Sequence, residues 1–364
     1  MTSAGVQAYF RENFADAREL FVSIAGDSGL HVASHQHPLA GPDGETLSTD
    51  AVTIGEPDAE NLVVLISGTH GVETLCGSAC QSLYLAKREW QKLPVNTTVL
   101  IIHAINPWGA AHIRRNNEDN VDLGRNFMNF DAPLPKNAKY EALRAAIDCP
   151  EFRGAERDRA DNIHTRYIAS NSINDYVDAI MGGQYEYSNG FAYGGNAPVW
   201  SNRLLRNLLA PYARSARKVR VVEYHSGLGP YGYGAAVTMQ VNEDLQRVQS
   251  IYGRWVDAPN DTSEKHKERF HKVQGTPYDG IRETLADAEL SAIVVEFGTY
   301  PPFESLRALL DDHWLTQSGD PASAMGREIK QRILEYHYPA DPDWRQAIAD
   351  RSAQIIDQTF RGLG

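Results

Sequence analysis

The sequence predicts an α/β protein, a mostly parallel mixed sheet with helices on both faces. Three observations lead there. Apolar runs at residues 62–67, 97–105, 219–225 and 292–297 are rich in Val, Ile and Leu, the near-continuous hydrophobic character of strands buried on both sides. Stretches with helical spacing of apolar residues separate these runs, so strands and helices alternate along the chain. Each run also ends in polar, chemistry-bearing residues, and the carboxyl ends of strands are where open α/β sheets bind ligands.

Residues 6–25 predict a helix whose apolar face carries Phe10, Phe14, Leu20 and Phe21. Turn signals at Gly41-Pro42-Asp43-Gly44 and Gly55-Glu56-Pro57 bracket a short strand at 51–54. Further helices are expected at 73–93, 138–148, 157–181 and 201–216. A strand at 235–241 precedes a helix at 243–256, and three helices near 302–316, 321–336 and 343–361 close the chain. There is no internal repeat, low-complexity tract or linker. One domain over residues 1–364 is therefore expected, with 1–60 as a helix-and-hairpin appendage to it.

Composition narrows the function classes. The 364 residues are 42% hydrophobic and 23% charged, ordinary for a soluble globular chain with a sizeable core. A net charge of −12 without a long basic run argues against nucleic acid or an anionic membrane as partner. The first twenty residues lack a basic segment followed by an apolar core, and no apolar run approaches bilayer length. Cys76, Cys80 and Cys149 are three, with no C-x-x-C, which suggests reduced thiols and a cytoplasmic home. The expected partner is a small-molecule or short-peptide substrate, and nothing in the composition opposes a homo-oligomer.

The chemistry starts at "LISGTHGVE". His70 and Glu73 follow a buried strand and lie three apart, so both side chains reach one side of a helical turn. A capped helix start shows the same pair, and the other strand ends decide. After 97–105 comes "NPWGAAHIRRNNEDNVDLGRNF", with Arg114, Arg115 and Arg125. The next run ends at His225 in "EYHSG", and the last carries Glu296 in "VVEFGTY". His70, Glu73 and His225 make three protein ligands with a fourth position open, the pattern of catalytic zinc, so one zinc ion is expected. Glu296 is the expected general base toward water. Arg114 and Arg115 are adjacent and point to opposite sides of an extended segment, so only one can stabilise an oxyanion, and Arg115 is favoured. Arg125 suits a substrate carboxylate through a bidentate pair. Of the remaining histidines, His103 is expected in the core and His35 and His37 toward solvent. His266 and His271 fall in a charged, solvated stretch. The Gly- and Tyr-rich loop at 182–196 is either a pocket wall or a structural cover.

These motifs resemble the zinc carboxypeptidase superfamily, which includes carboxypeptidase A-like peptidases and the succinylglutamate desuccinylase and aspartoacylase deacylases. The matching elements are "HGVE", "HIRRNNEDNVDLGRNF", "EYHSG" and "VVEFGTY". With "HPLAGPDGETLSTDAVTIGEPDAENLVVLISGTHGVE" and "GQYEYSNGFAYGGNAPVWSNRLL", the chain is similar over residues 10–360 to a bacterial branch described as a domain of unknown function. The resemblance implies His70, Glu73 and His225 as zinc ligands, Glu296 as catalytic glutamate, and a metallocarboxypeptidase or N-acyl-amino-acid deacylase activity. A catalytically silent binding protein on the same fold is the alternative from another class. The resemblance also implies Arg125 and Asn126 as a substrate clamp, and Tyr278, by its spacing from Glu296, as a substrate-contacting tyrosine. One departure stands out: the usual Asn-Arg-Asn reads Gly124-Arg125-Asn126, so the first amide is missing.

Overall fold

The computed structural model describes residues 3–261 and 273–364; His266 and His271 lie outside them. Seven strands form one sheet: β1 (Val32–Ala40), β2 (Thr46–Gly55), β3 (Asn61–Ser67), β4 (Thr97–His103), β5 (Lys218–Ser226), β6 (Gly234–Val237) and β7 (Glu289–Phe297). Their order is β1-β2-β4-β3-β5-β7-β6. The four central strands β4, β3, β5 and β7 are parallel, while β1, β2 and β6 join antiparallel at the two edges. The four apolar runs of the sequence are the four parallel strands, as burial on both faces requires.

The helices are, in chain order, α1 (Ser3–Gln7), α2 (Phe14–Asp27), α3 (Thr74–Lys87), α4 (Pro107–Ala111), α5 (Ala138–Ile147), α6 (Ala155–Ser170), α7 (Ile173–Met181), α8 (Trp200–Leu209), α9 (Asn242–Tyr252), α10 (Pro277–Thr284), α11 (Pro302–Ser318), α12 (Ala324–His337) and α13 (Pro342–Arg361). The pleat divides each central strand between two cores. Val63, Leu65, Val222, Tyr224 and Val295 pack with α2, α3, α9 and α13 on one face. Leu62, Val64, Val219, Val221 and Ala292 pack with α8 and α10 on the other. Burying a side chain of this kind contributes about 1.5–3 kcal/mol, so these two layers carry most of the fold's stability. A third cluster joins α5, α7, α11 and α12 around Val72, directly after β3.

Three sequence expectations change. The strand at 51–54 is part of the longer β2, and β1 pairs with it, so the N-terminal hairpin is continuous with the central sheet. The helix at 6–25 is interrupted before Asn13, whose side chain accepts from Asp16 N and caps α2. The helix at 157–181 is two helices, because Ser172 and Asp175 form a capping box that starts α7.

The topology fixes where chemistry can sit. The chain moves from β3 to β4 on one side and then crosses to β5 on the other side of β3. The strand order reverses between β3 and β5, and the crevice outside their carboxyl ends is the binding position of such sheets.

Candidate metal centre

His70 and Glu73 leave β3 on a tight turn. Gly68 has φ +78, a left-handed conformation that favours glycine, and residues 71–73 form one turn of 3₁₀ helix. Gly71 is pressed against α4, and a Cβ there would lie 2.0 Å from the Gly109 carbonyl carbon. This close approach lets Val72 N and Gly71 N donate to the carbonyls of Arg114 and Arg115, so the histidine turn and the arginine segment are fastened together. His225 comes from the end of β5 and faces the same crevice.

The three side chains converge. His70 Nδ1 is 2.9 Å from Glu73 Oε1, and His225 Nδ1 is 2.9 Å from Glu73 Oε2. The two imidazole rings meet edge to face at 4.8 Å. One nitrogen or oxygen from each residue lies within 4.8 Å of the others, and all three residues are buried. Two imidazoles and a carboxylate are donor types that zinc takes, and the set is compact enough for a single ion.

The far nitrogens are held as well. His70 Nε2 is 3.2 Å from Asp122 Oδ1, and His225 Nε2 is 2.7 Å from Glu223 Oε1. Glu223 in turn accepts from Thr69 Oγ1 at 2.6 Å. A carboxylate behind each imidazole fixes its orientation and leaves Nδ1 facing the shared point, an arrangement characteristic of histidine metal ligands. Sequence reasoning missed Asp122 and Glu223. Glu223 was open to detection, since a residue two before His225 on a strand shares its face.

The electrostatics separate the two glutamates. Burial alone would raise the Glu73 carboxyl, but the charges of His70 and His225 hold it well below the usual range. His225 follows the same logic with opposite sign: burial disfavours its charge, yet Glu223 and Glu73 push it well above the ordinary imidazole value. Glu296 stands directly across from His225 in the β5–β7 register and is half-buried on the same face of the sheet. Burial, reinforced by the Glu73 charge and opposed by His225, His70 and Arg115, raises it to about 7. One carboxylate is thus kept ionised and the other poised near neutrality, a division that suits a ligand and a proton carrier.

The structure sorts the arginines. Arg115 faces the crevice, with Nη1 3.3 Å from Glu73 Oε1 and Nη2 3.2 Å from Asp122 Oδ2. Arg114 turns the other way, donates to Asn120 Oδ1 at 3.1 Å and lies 3.7 Å from Asp312 on α11. Arg125 is buried with its guanidinium donating to the carbonyls of Gly124 and Met181, each at 2.7 Å. Among the described residues no carboxylate comes within ion-pair distance of Arg125, and its Nε has no partner. Gly124 touches the centre itself, since a Cβ there would lie 3.2 Å from His70 Nε2 and 3.1 Å from Asp122 Oδ1. A larger side chain would press on the His70–Asp122 hydrogen bond.

Two residues expected to contact substrate have partners within the protein. Asn126 donates to the carbonyls of Gly194 and Ala197 and accepts from Val199 N, so its amide fastens the 182–196 loop. That loop also holds the arginine segment, through Asp122 N donating to Tyr193 O and Tyr185 Oη donating to Arg125 O. Tyr278 sits on α10 against the α8 core, and the charges acting on it, Arg282, Asp244, Asp279 and Arg247, belong to neither the His70 turn nor β5. Of the other histidines, His37 differs from expectation and His103 does not. His37 is buried against Trp200 and 3.3 Å from Glu118 instead of facing solvent. His103 is in the core, with Nε2 2.8 Å from Ser78 Oγ and Nδ1 without a partner.

The family described as "Protein of unknown function (DUF2817)" matches residues 10–351. No curated protein matches the chain. Solved structures similar to it include the carboxypeptidase A of Helicoverpa armigera, 13% identical over 91% of this chain and 75% of that one with a TM-score of 0.45. Bovine thrombin-activatable fibrinolysis inhibitor, in complex with tick carboxypeptidase inhibitor, is 12% identical over 95% and 99% of the two chains, TM-score 0.44. The succinylglutamate desuccinylase of Chromobacterium violaceum is 13% identical over 88% and 74%, TM-score 0.35. At these identities and scores the likenesses assign no role to any residue. Among the described residues no helix is long and apolar enough to cross a membrane.

Proposed function

The chain belongs to the DUF2817 family, and from that premise we propose that it is a zinc-dependent amide hydrolase acting on a small substrate with a free carboxylate, a short or modified peptide first of all. The observation that carries this reading is the convergence of His70 Nδ1 and His225 Nδ1 on the Glu73 carboxylate, with a carboxylate behind each ring and Glu296 alongside. His70, Glu73 and His225 would hold the ion, which when bound supplies a Lewis acid that polarises a carbonyl and makes water more acidic.

The chain's own groups do the rest. Glu296, near neutrality, accepts the proton of the attacking water and returns it to the leaving amine. Arg115 presents a guanidinium beside the crevice for the charge that develops on the carbonyl oxygen. Asp122 and Glu223 keep the imidazoles oriented throughout. Arg125 is a buried cation whose hydrogen bonds go to carbonyls, with the Asp122 charge acting on it from beyond ion-pair distance, and a substrate carboxylate would be its direct partner. A protein that only bound ligands would have no chemical use for a carboxylate base, Glu296, placed across from His225 beside the three candidate ligands.

The test is hydrolysis of a panel of short peptides and N-acyl amino acids, each as free acid and as amide, with and without a strong chelator. Free acids should be cleaved, and chelation should abolish turnover. A charge-assisted hydrogen bond contributes about 1.5–3 kcal/mol, so the amides should lose roughly ten- to a hundred-fold in kcat/KM. Arg125→Ala should remove that preference. Cleavage confined to N-acyl amino acids would make the enzyme a deacylase; turnover that survives chelation would overturn the metal-dependent reading.

A further inference from the structure

Three tyrosines cluster on segments that follow β5 and β7, the strands that carry His225 and Glu296. Tyr231 is in the loop after β5, Tyr300 three residues beyond β7, and Tyr336 at the end of α12. Their platform is tied to the site. Ser226 Oγ, next to His225, donates to His337 O, and Thr299 Oγ1 donates to Tyr336 O. Gly232 N donates to Gly298 O and Gly298 N to Tyr233 O, which joins the loop after β5 to the loop after β7.

The rings form a corner. Tyr300 meets Tyr231 at 5.8 Å and 65°, and Tyr336 at 5.0 Å and 63°. Tyr231 is 44% exposed and the other two are half-buried, so the cluster is open to solvent. Each hydroxyl donates to a different carboxylate: Tyr231 to Asp341 at 2.9 Å, Tyr300 to Glu335 at 2.6 Å and Tyr336 to Glu304 at 2.7 Å. Such donation enriches the rings in electron density, and the three carboxylates add a negative potential. Burial and the hydrogen bond to Glu335 push Tyr300 up to about 12, in keeping with that field.

Some rings elsewhere are covered by the chain's own cations. Arg144 lies 4.3 Å over Tyr187, and Arg206 lies 5.8 Å over Phe127. Among the described residues no Arg or Lys lies over Tyr231, Tyr300 or Tyr336. Arg332, whose charge reaches Tyr336, is held in an ion pair with Asp311. An aromatic corner backed by carboxylates and lacking a cation is complementary to an organic ammonium group.

We propose that Tyr231, Tyr300 and Tyr336, backed by Asp341, Glu335 and Glu304, form a binding subsite for an organic ammonium group carried by the substrate. The assignment to substrate rests on the hydrolase reading above; the cation site itself does not. A substrate that also met Arg125 would bear a carboxylate and an ammonium group, as a short peptide does and a neutral N-acyl amino acid does not.

The experiment is an NMR titration of the full chain with choline and with its neutral isostere 3,3-dimethylbutan-1-ol, read on the ligand methyl protons, which ring currents move upfield. Choline should bind saturably and at least roughly tenfold more tightly than the alcohol, the margin expected of a partly desolvated cation over aromatic faces. Tyr300→Ala should abolish the methyl shift. Glu335→Gln, which keeps the rings, should weaken choline severalfold at an unchanged thermal midpoint and decides the matter if Tyr300→Ala does not fold. Equal affinity for the two probes, no choline binding, or binding indifferent to both variants would overturn the proposal. The titration needs neither metal nor turnover, so a hydrolase without choline binding rejects the subsite alone, and choline binding without hydrolysis rejects the enzyme reading alone.

Discussion

Buried histidines occur in two settings in this protein, and the contrast between them shows what burial alone leaves open. His103, at the end of β4, is fully buried beneath α2, with Phe21 stacked at 4.4 Å and Phe14 at 6.3 Å. One of its nitrogens bonds a serine and the other nothing. Its removal from water, with Arg18 adding to the effect and Asp50 opposing it, lowers it to about 4. His225, at the end of β5, is just as inaccessible but has a carboxylate at each nitrogen, and its affinity for a proton rises. Both end parallel strands of one sheet. The first is built to stay neutral in a core and the second to meet positive charge, and the partner of the second nitrogen makes the difference.

The largest expected effect breaks the crevice's chemistry without touching its ligands. Glu296→Gln keeps the shape and removes the proton acceptor, so turnover should fall by roughly two to four orders of magnitude while bound metal is unchanged. Metal loss on Glu296→Gln with retention on Glu73→Gln would reverse the two glutamates' roles.

The second prediction concerns the core setting. Below about pH 6.5 the unfolded chain protonates its histidine, whereas folded His103 takes a proton only near pH 4. Its contribution to stability is therefore complete above pH 6.5 and is lost as the pH falls to about 4, by about 3 kcal/mol in all. Urea midpoints of wild type and His103→Phe, compared at pH 7 and pH 4.5, should show a smaller acid loss in the variant. Identical losses would mean that His103 does not titrate this way.

A smaller effect sharpens the comparison at the far nitrogens. Asp122→Asn and Glu223→Gln leave all three ligands in place but loosen their orientation, and each should cost roughly ten- to a hundred-fold in metal affinity. Competition with a chromogenic chelator measures it; unchanged affinity in both would make the two carboxylates bystanders.

What was legible in the sequence follows the same physics. The parallel strands stood out because burial on both faces leaves an apolar run, and His70, Glu73, His225 and Glu296 stood out because they terminate those runs. β1 was hidden: "VASHQHPLA" is an edge strand, largely exposed, and carries no apolar signature. The break between α6 and α7 was readable as Ser172-x-x-Asp175 and was overrun by the apolar periodicity on either side. The choice between Arg114 and Arg115 depended on which side of the segment meets Glu73, a fact of the Gly71–α4 contact. Asn126 was expected at the substrate from the resemblance; that its amide fastens loop carbonyls some seventy residues away in the chain is beyond what local pattern reveals.

The central claim is that the β3–β5 crevice, and not the core under α2, holds a metal. Elemental analysis of protein purified without added metal tests it most directly, on wild type, His70→Ala, His225→Ala and His103→Phe. The account predicts one equivalent of zinc in wild type and in His103→Phe and little in the other two, whose thermal midpoints should fall only moderately because the sheet's core does not depend on the ion. A wild type without zinc even after reconstitution, or full zinc in His225→Ala, would contradict it.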